Sequence, residues 1–163
     1  MPASAAALTP LRIEPETAFD RAAVEALVLR AFGPGRFAKT AERLRERSRL
    51  AAGFVARDDQ QVIGSVRLWS ITVGDLPALF LGPIAVEADS RRGGLGAELV
   101  AACVDHARTL DVSGVLLVGD PPYFTRFGFE VAPDVVLPGP ADRRRVMWLS
   151  MNGAKPEGTA GPA

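Results

Sequence analysis

The sequence predicts an α/β fold in one domain, a mixed β-sheet with helices packed on it, and three neighbouring segments carry that expectation. Leu79 to Val86 is a nearly continuous apolar run, which suits a central strand buried on both faces. From Gly94 to about Leu110, the residues Leu95, Leu99, Ala102, Cys103, Ala107 and Leu110 recur at helical spacing. Val115 to Val118 is a second short apolar strand. Strand, helix, strand in that order implies a parallel pair joined by a right-handed crossover.

The other elements build outward from this unit. Leu11 to Glu14 reads as a first strand, and Thr17 as the cap of a helix running to about Arg30, with Phe19, Ala23, Leu27 and Ala31 on its apolar face. Gly33, Pro34 and Gly35 stop that helix. A second helix, about Lys39 to Leu50, carries Leu44 and alternating charge, the pattern of a surface helix. Phe54 to Ala56 opens a strand, the polar turn Asp58 to Gln61 reverses it, and Val62 to Val73 returns as its hairpin partner. Asp75 to Pro77 turns the chain into the central strand. After Asp120, Pro121 and Pro122 favour a short helix ending at Gly128, and Val135 to Leu137 and Val146 to Leu149 are closing strands, an exposed one offering an edge for a homodimer. The two ends, rich in Ala, Gly and Pro, read as flexible tails over residues 1–9 and 151–163, around a domain over 10–150.

A chain of 163 residues buries a core without help from disulfides or metal. Its 19 basic residues balance 19 acidic ones, so no bulk attraction to nucleic acid follows. The basic groups Arg43, Arg45, Arg47 and Arg49, interleaved with glutamates, and the run Arg143 to Arg145 read as solvated faces. With one cysteine, Cys103, and one histidine, His106, there is neither an internal disulfide nor a zinc-type spacing. Those two residues lie at i and i+3 of the predicted helix and read as core and surface, not as nucleophile and base. The amino terminus lacks the pattern of a signal peptide and no window approaches a membrane span, so the expectation is a cytoplasmic protein without a membrane partner.

Between the central strand and the helix stands Arg91, Arg92, Gly93, Gly94, Leu95, Gly96. A helix amino terminus presents backbone N–H groups without intrahelical partners and the positive end of its dipole, which favours anions. Glycines let backbone approach an anion closely, and two arginines add donors for phosphate oxygens, so Arg91 to Ala97 reads as a diphosphate cradle. The plainer reading is that Gly93 and Gly94 only punctuate a turn. A nucleoside-triphosphate loop would need Lys and then Ser or Thr, but Ala97 and Glu98 follow Gly96. A dinucleotide fingerprint would need a glycine where Leu99 stands.

What remains resembles the acyl-CoA-binding segment of the GNAT superfamily: Arg or Gln, two residues, Gly, one residue, then Gly or Ala. Arg91, Gly94 and Gly96 match it, and the strand LFLGPIAV, the strand GVLLVGD and the ending Gly128, Phe129 extend the likeness over about Leu11 to Leu149, closest to the branch of the bacterial YhbS acetyltransferases. The resemblance implies a mostly antiparallel sheet whose central parallel pair splays apart, acetyl-CoA (coenzyme A) as acyl donor, no metal, and a small-molecule or peptide amine as acceptor. It implies that pantetheine lies along Ile84, Ala85 and Val86, that an N–H of this stretch faces the thioester carbonyl, and that Arg91, Arg92, Gly93, Gly94, Leu95, Gly96 and Ala97 hold the diphosphate. Pro83 has no N–H to offer.

In the family a tyrosine four residues before the Gly-Phe pair often protonates the departing thiolate. That position here is Phe124, which cannot donate and is counted with the cofactor-binding set. Tyr123, the only tyrosine, is one residue off, about 100° around a helix. It is the candidate general acid, or else a member of an aromatic cluster with Phe124, Phe127 and Phe129. Glu87, just past the central strand, is the candidate base, or else a surface glutamate. Asp120 reads as a helix cap. Arg67 and Trp69, on one face of the third strand, are candidates for lining the acceptor pocket, with edge packing the alternative for Trp69. The resemblance thus implies an N-acetyltransferase. A weak or inactive acyl-CoA-binding sensor or scaffold is the alternative, prompted by Phe124.

Overall fold

A computed structural model of the chain describes residues 11–33, 40–88 and 93–163. In chain order the elements are β1 (Arg12–Pro15), α1 (Arg21–Phe32), α2 (Thr40–Arg47), β2 (Arg49–Asp58), β3 (Gln61–Val73), β4 (Leu76–Val86), α3 (Leu95–Arg108), β5 (Gly114–Val118), α4 (Pro121–Phe124), β6 (Glu130–Val131), β7 (Val135–Val136), β8 (Val146–Ser150) and β9 (Gly158–Pro162). The sheet runs β1-β2-β3-β4-β5-β8-β6. Neighbours are antiparallel except β4 and β5, the expected parallel pair with α3 as its crossover.

Strand alternation sends β4 side chains to two cores. Leu79 and Leu81 face α3, where they meet Leu95, Leu99, Cys103, Val115 and Leu117. Ala78 and Phe80 face the other side, with Leu44 of α2, Leu116 and Trp148. A third cluster packs Val24, Leu27 and Val28 of α1 on Val55, Val62 and Ala85. Leu99 and Cys103 are fully buried, and burying a leucine side chain contributes about 2 kcal/mol. The sheet is therefore covered on one face by α3 and on the other by α1 and α2.

Four local expectations differ from the structure. On α1 the buried stripe is Val24, Leu27 and Val28, while Phe19 is 98% exposed. Phe19 precedes the helix in a 3-10 turn, and the 19, 23, 27, 31 series drifts about 40° per step on a 3.6-residue helix. The second helix ends at Arg47, and β2 begins already at Arg49, because that segment pairs with the outer part of β3 although its side chains are exposed. The predicted closing strand at Val146 is interior: β5 pairs with it on one side and β6 on the other. Finally, within the tail expected over 151–163, Gly158–Pro162 forms β9, pairing Ile71, Thr72 and Val73 with Pro162, Gly161 and Ala160. The pairing of β2 ends at Ser70, so these β3 residues have an open edge, and main-chain hydrogen bonds ask little of side chains. The tail expected over 1–9 lies outside the described residues.

An ionic lattice ties the first strand and its turn to the sheet. Arg57 donates to Glu14 at 2.8 Å and to both Asp20 oxygens at 2.9 and 3.0 Å, and Arg67 grips Glu16 at 2.8 and 3.0 Å. The Thr17 N–H and hydroxyl also donate to Asp20, so its carboxylate closes the helix entrance. The Arg57 hydrogen bonds hold the Asp20 carboxyl down from 3.8 to about 2, outweighing the opposing effect of its burial. A folded-state value below the unfolded one stabilises fully above pH 3.8, and that stabilisation is lost as the pH falls toward 2. Asp20→Asn is expected to cost about 2 kcal/mol at pH 7 and to flatten the acid limb between pH 3.8 and 2, measured by urea unfolding across that range.

Candidate active site

The pairing of β4 with β5 is short: Ala78 with Gly114, Leu79 with Val115 and Phe80 with Leu116. Beyond Phe80 the strands part. Against β3, Leu81 pairs with Leu68 and Ile84 with Val66, so Gly82 and Pro83 together oppose Arg67, a bulge on β4. Gly82 has φ +139°, a conformation that side-chain-bearing residues rarely adopt, and the Trp69 indole donates to its carbonyl at 2.7 Å. Across the gap, Phe124 lies so close over Gly119 that a Cβ there would overlap its ring. Between these walls is a cleft of about 390 Å³.

The walls are mainly apolar. Leu81, Pro83 and Ile84 come from β4, Leu117 and Val118 from β5, Phe124 from α4 and Phe32 from the end of α1. The N–H of Glu87 donates to Ile63 of β3 at 2.7 Å. By strand alternation Ala85 also faces β3, whereas Ile84 and Val86 turn their N–H and C=O groups to the open edge. An extended amide-bearing chain laid in the cleft would find those groups without β5 as a competitor.

The glycine turn opens α3 as expected. Gly94 is its N-cap with φ +79°, and the N–H of Glu98 donates to the Gly94 carbonyl at 3.1 Å as the first helical bond. Leu95, Gly96 and Ala97 therefore present N–H groups without helical acceptors. A Cβ on Gly93 or Gly94 would meet nothing within 4 Å among the described residues, which leave open space over the turn. A diphosphate fits that surface: bare backbone, free donors and the positive end of a 14-residue helix. Arg91 and Arg92 lie outside the described residues.

The two candidate catalytic residues are not brought together. Phe124 lines the cleft, while Tyr123 does not; its hydroxyl lies 3.2 Å from where a Cβ on Gly96 would be, beside the glycine turn, with the Arg126 guanidinium 4.2 Å from its ring centroid. Tyr123 also packs edge-on to Phe124. Glu87 is ion-paired with Arg30 at 2.8 Å and is not among the residues lining the cleft. Arg67 and Trp69 line a second hollow of about 190 Å³ on the α1 and α2 side, which shares Arg45 and Pro83 with the cleft. Cys103 is buried, which pushes its thiol well above the ordinary range, and His106 packs edge-on to Phe54.

Three charged side chains of the cleft were read from sequence as caps or solvated faces: Arg45, Asp120 and Arg145. Arg45 pairs with the buried Glu42 at 2.9 Å. Asp120 is the N-cap of α4, yet its side chain makes no capping hydrogen bond. Arg145 donates from Nε to the Gly119 carbonyl at 3.2 Å. No local pattern marks these residues, because the pairing of β8 with β5 and the packing of α2 put them there. Among the described residues no group of three or more His, Cys, Asp or Glu converges as metal ligands, and no helix is long and apolar enough to cross a membrane.

Comparison with known proteins agrees with this geometry. Residues 21–129 match the acetyltransferase (GNAT) family. The chain is 37% identical to the uncharacterized N-acetyltransferase YhbS of Escherichia coli over 123 residues, 74% of each protein. The crystal structure of Escherichia coli YhbS in complex with CoA superposes with a TM-score of 0.77 at 32% identity, covering 93% of this chain and 88% of that one. A GNAT family acetyltransferase from Brucella melitensis, in complex with acetyl-CoA, shares the fold with a TM-score of 0.72 at 23% identity, covering 93% and 95%. The parted strands, the glycine-capped helix and these likenesses agree: the chain belongs to the acetyltransferase (GNAT) family.

Proposed function

We propose that the protein transfers an acetyl group from acetyl-CoA to a primary amine by direct attack within a ternary complex. The observation that carries this reading is the parting of β4 from β5 beside the glycine-capped start of α3. In this reading Ile84 and Val86 pair with the pantetheine amides, while the N–H groups of Leu95, Gly96 and Ala97 take the diphosphate with Gly93 and Gly94 as bare backbone. Arg91 and Arg92 add charge to that turn, Ala85 holds the strand to β3, and Phe124 walls the pantetheine arm. Support comes from the similar YhbS structure, which is a complex with CoA.

An N–H of the 84–86 stretch would stabilise the charge that develops on the thioester oxygen. The acceptor ammonium first loses one proton to water. Its nitrogen then forms the C–N bond as the C–S bond breaks, and the second nitrogen proton ends on the CoA sulfur. Positioning carries much of the rate in such a scheme, so Phe124 does not forbid turnover. The same phenylalanine favours a second reading, an acyl-CoA-binding sensor or scaffold, because among the described residues lining the cleft it puts a ring without a hydroxyl at that point.

Three outcomes are expected. CoA at ~100 times its dissociation constant should stabilise the fold by about 2.7 kcal/mol, read as a rise in Tm. Gly94→Val forces a β-branched residue to φ +79° and fills the open space over the turn, so CoA affinity should fall more than tenfold while circular dichroism stays native-like; unchanged affinity in a folded variant would refute the cradle. For Tyr123→Phe, the hydroxyl's place beside Gly96 predicts a change in the KM for acetyl-CoA with kcat within about threefold, whereas a general acid would lower kcat by roughly 100-fold. Thiol release from acetyl-CoA over an amine panel separates the enzyme from the sensor: tight CoA binding without release for any amine would establish the latter.

A further inference from the structure

We infer that the acceptor is an α-amino acid with an apolar side chain, recognised by Asp120 and Arg145 at the rim of the cleft; the inference rests on the acetyl-transfer reading and narrows its acceptor. Of the charged side chains lining the cleft, Arg45 is engaged by Glu42. The other two stand on either side of Gly119. The N–H groups of Tyr123 and Phe124 donate at 3.0 Å to the main-chain carbonyl of Asp120, which leaves its carboxylate with no hydrogen-bond or ion-pair partner among the described residues. Arg145 and Gly119 hold each other twice, through the Gly119 N–H to the Arg145 carbonyl at 2.9 Å and through Arg145 Nε to the Gly119 carbonyl at 3.2 Å. That second bond orients the guanidinium and leaves its two terminal nitrogens without protein acceptors among the described residues.

Among the described residues, a carboxylate without a partner and a guanidinium whose terminal nitrogens are unbonded, with Asp142 bearing on it through charge alone, thus share a rim whose position the β5–β8 pairing sets. An ammonium suits the first, and a carboxylate suits the forked terminal nitrogens of the second. A molecule carrying both groups on one carbon satisfies both. A polyamine does not, because a single acid faces a fixed cation instead of a second acid. The rest of the acceptor meets Phe32, Ala41 and Phe80, on the side of the cleft away from the pantetheine wall, which calls for an apolar side chain.

The test uses matched probes: L-phenylalanine, its methyl ester and phenethylamine, and the same three built on L-leucine. Thiol release gives kcat and KM for each, and calorimetry on the CoA-saturated protein gives binding without turnover. The free acid is expected to exceed both its ester and its decarboxylated amine by about tenfold or more in kcat/KM. The ester has the less basic amine and is the more available nucleophile at neutral pH, so nucleophile availability works against the acid in that comparison. Arg145→Gln should raise KM for the acid alone and erase the preference, and Arg145→Lys, which keeps the charge but lacks the Nε bond, should retain part of it. Asp120→Asn should weaken all three probes of a set. Equal use of acid, ester and amine, or an Arg145→Gln variant that affects all three alike, overturns the assignment. Binding of the acid that depends on Arg145, with no thiol released, would keep the recognition site and discard acetyl transfer. If no acid probe binds and none releases thiol, the inference is overturned.

Discussion

In β4 two residues, Gly82 and Pro83, stand where the partner strand offers only Arg67. That mismatch bends the strand away from β5 after three paired positions, because an extra residue must leave the ladder and sharpens the local twist. Each neighbour of the bulge keeps it open. Gly82 supplies the backbone angle, Trp69 holds its carbonyl from β3, and Pro83 brings no N–H that would seek a partner on β5. A regular strand here would continue the parallel ladder with Leu117 and Val118, and there would be no cleft. The site depends on a defect in the sheet, bounded on one side by Phe124 packed over Gly119 and on the other by α1 and α2.

The bulge also sets the chemistry available. Because β5 is absent from the outer edge of β4, the main chain at Ile84 and Val86 faces the cleft without β5 as a partner, and in the proposed reaction it binds the ligand as a strand would while the turn at Gly94 selects it. The side chains that line the opening are few and mostly apolar. Glu87 and Arg67, two candidates named from sequence, are engaged in ion pairs with Arg30 and Glu16. The charged groups of the cleft that have no partners among the described residues, Asp120 and the terminal nitrogens of Arg145, belong to exposed residues and so lie at its rim. In the proposed reaction recognition of the acceptor falls to the rim, while the floor holds and polarises the thioester.

The carboxyl-terminal segment shows how context overrides composition. Glycine, alanine and proline between 153 and 163 suggest a frayed end, yet small residues are what let β9 lie against the outer part of β3: a Cβ on Gly158 would sit 3.1 Å from the Cα of Gly74. Ala160 is buried there among Ile71, Val73 and Leu137. The strand closes an edge that β2 leaves open.

Local physics by itself determined the central unit. The apolar run at Leu79, the helical spacing from Leu95 and the strand at Val115 each announce their own period, and Gly94 announces the left-handed cap it adopts, because periodicity and backbone freedom are written in neighbouring residues. The residues at the rim of the cleft could not be read that way. Asp120 looks like a cap, Arg145 like one of three solvated arginines, and Tyr123 like a displaced acid, since which face each presents depends on the register of β8 against β5 and on where α4 begins. Those are pairings between segments distant in the chain, and only the tertiary structure decided them: cross-strand register is set by the summed fit of both partners, which neither segment encodes alone.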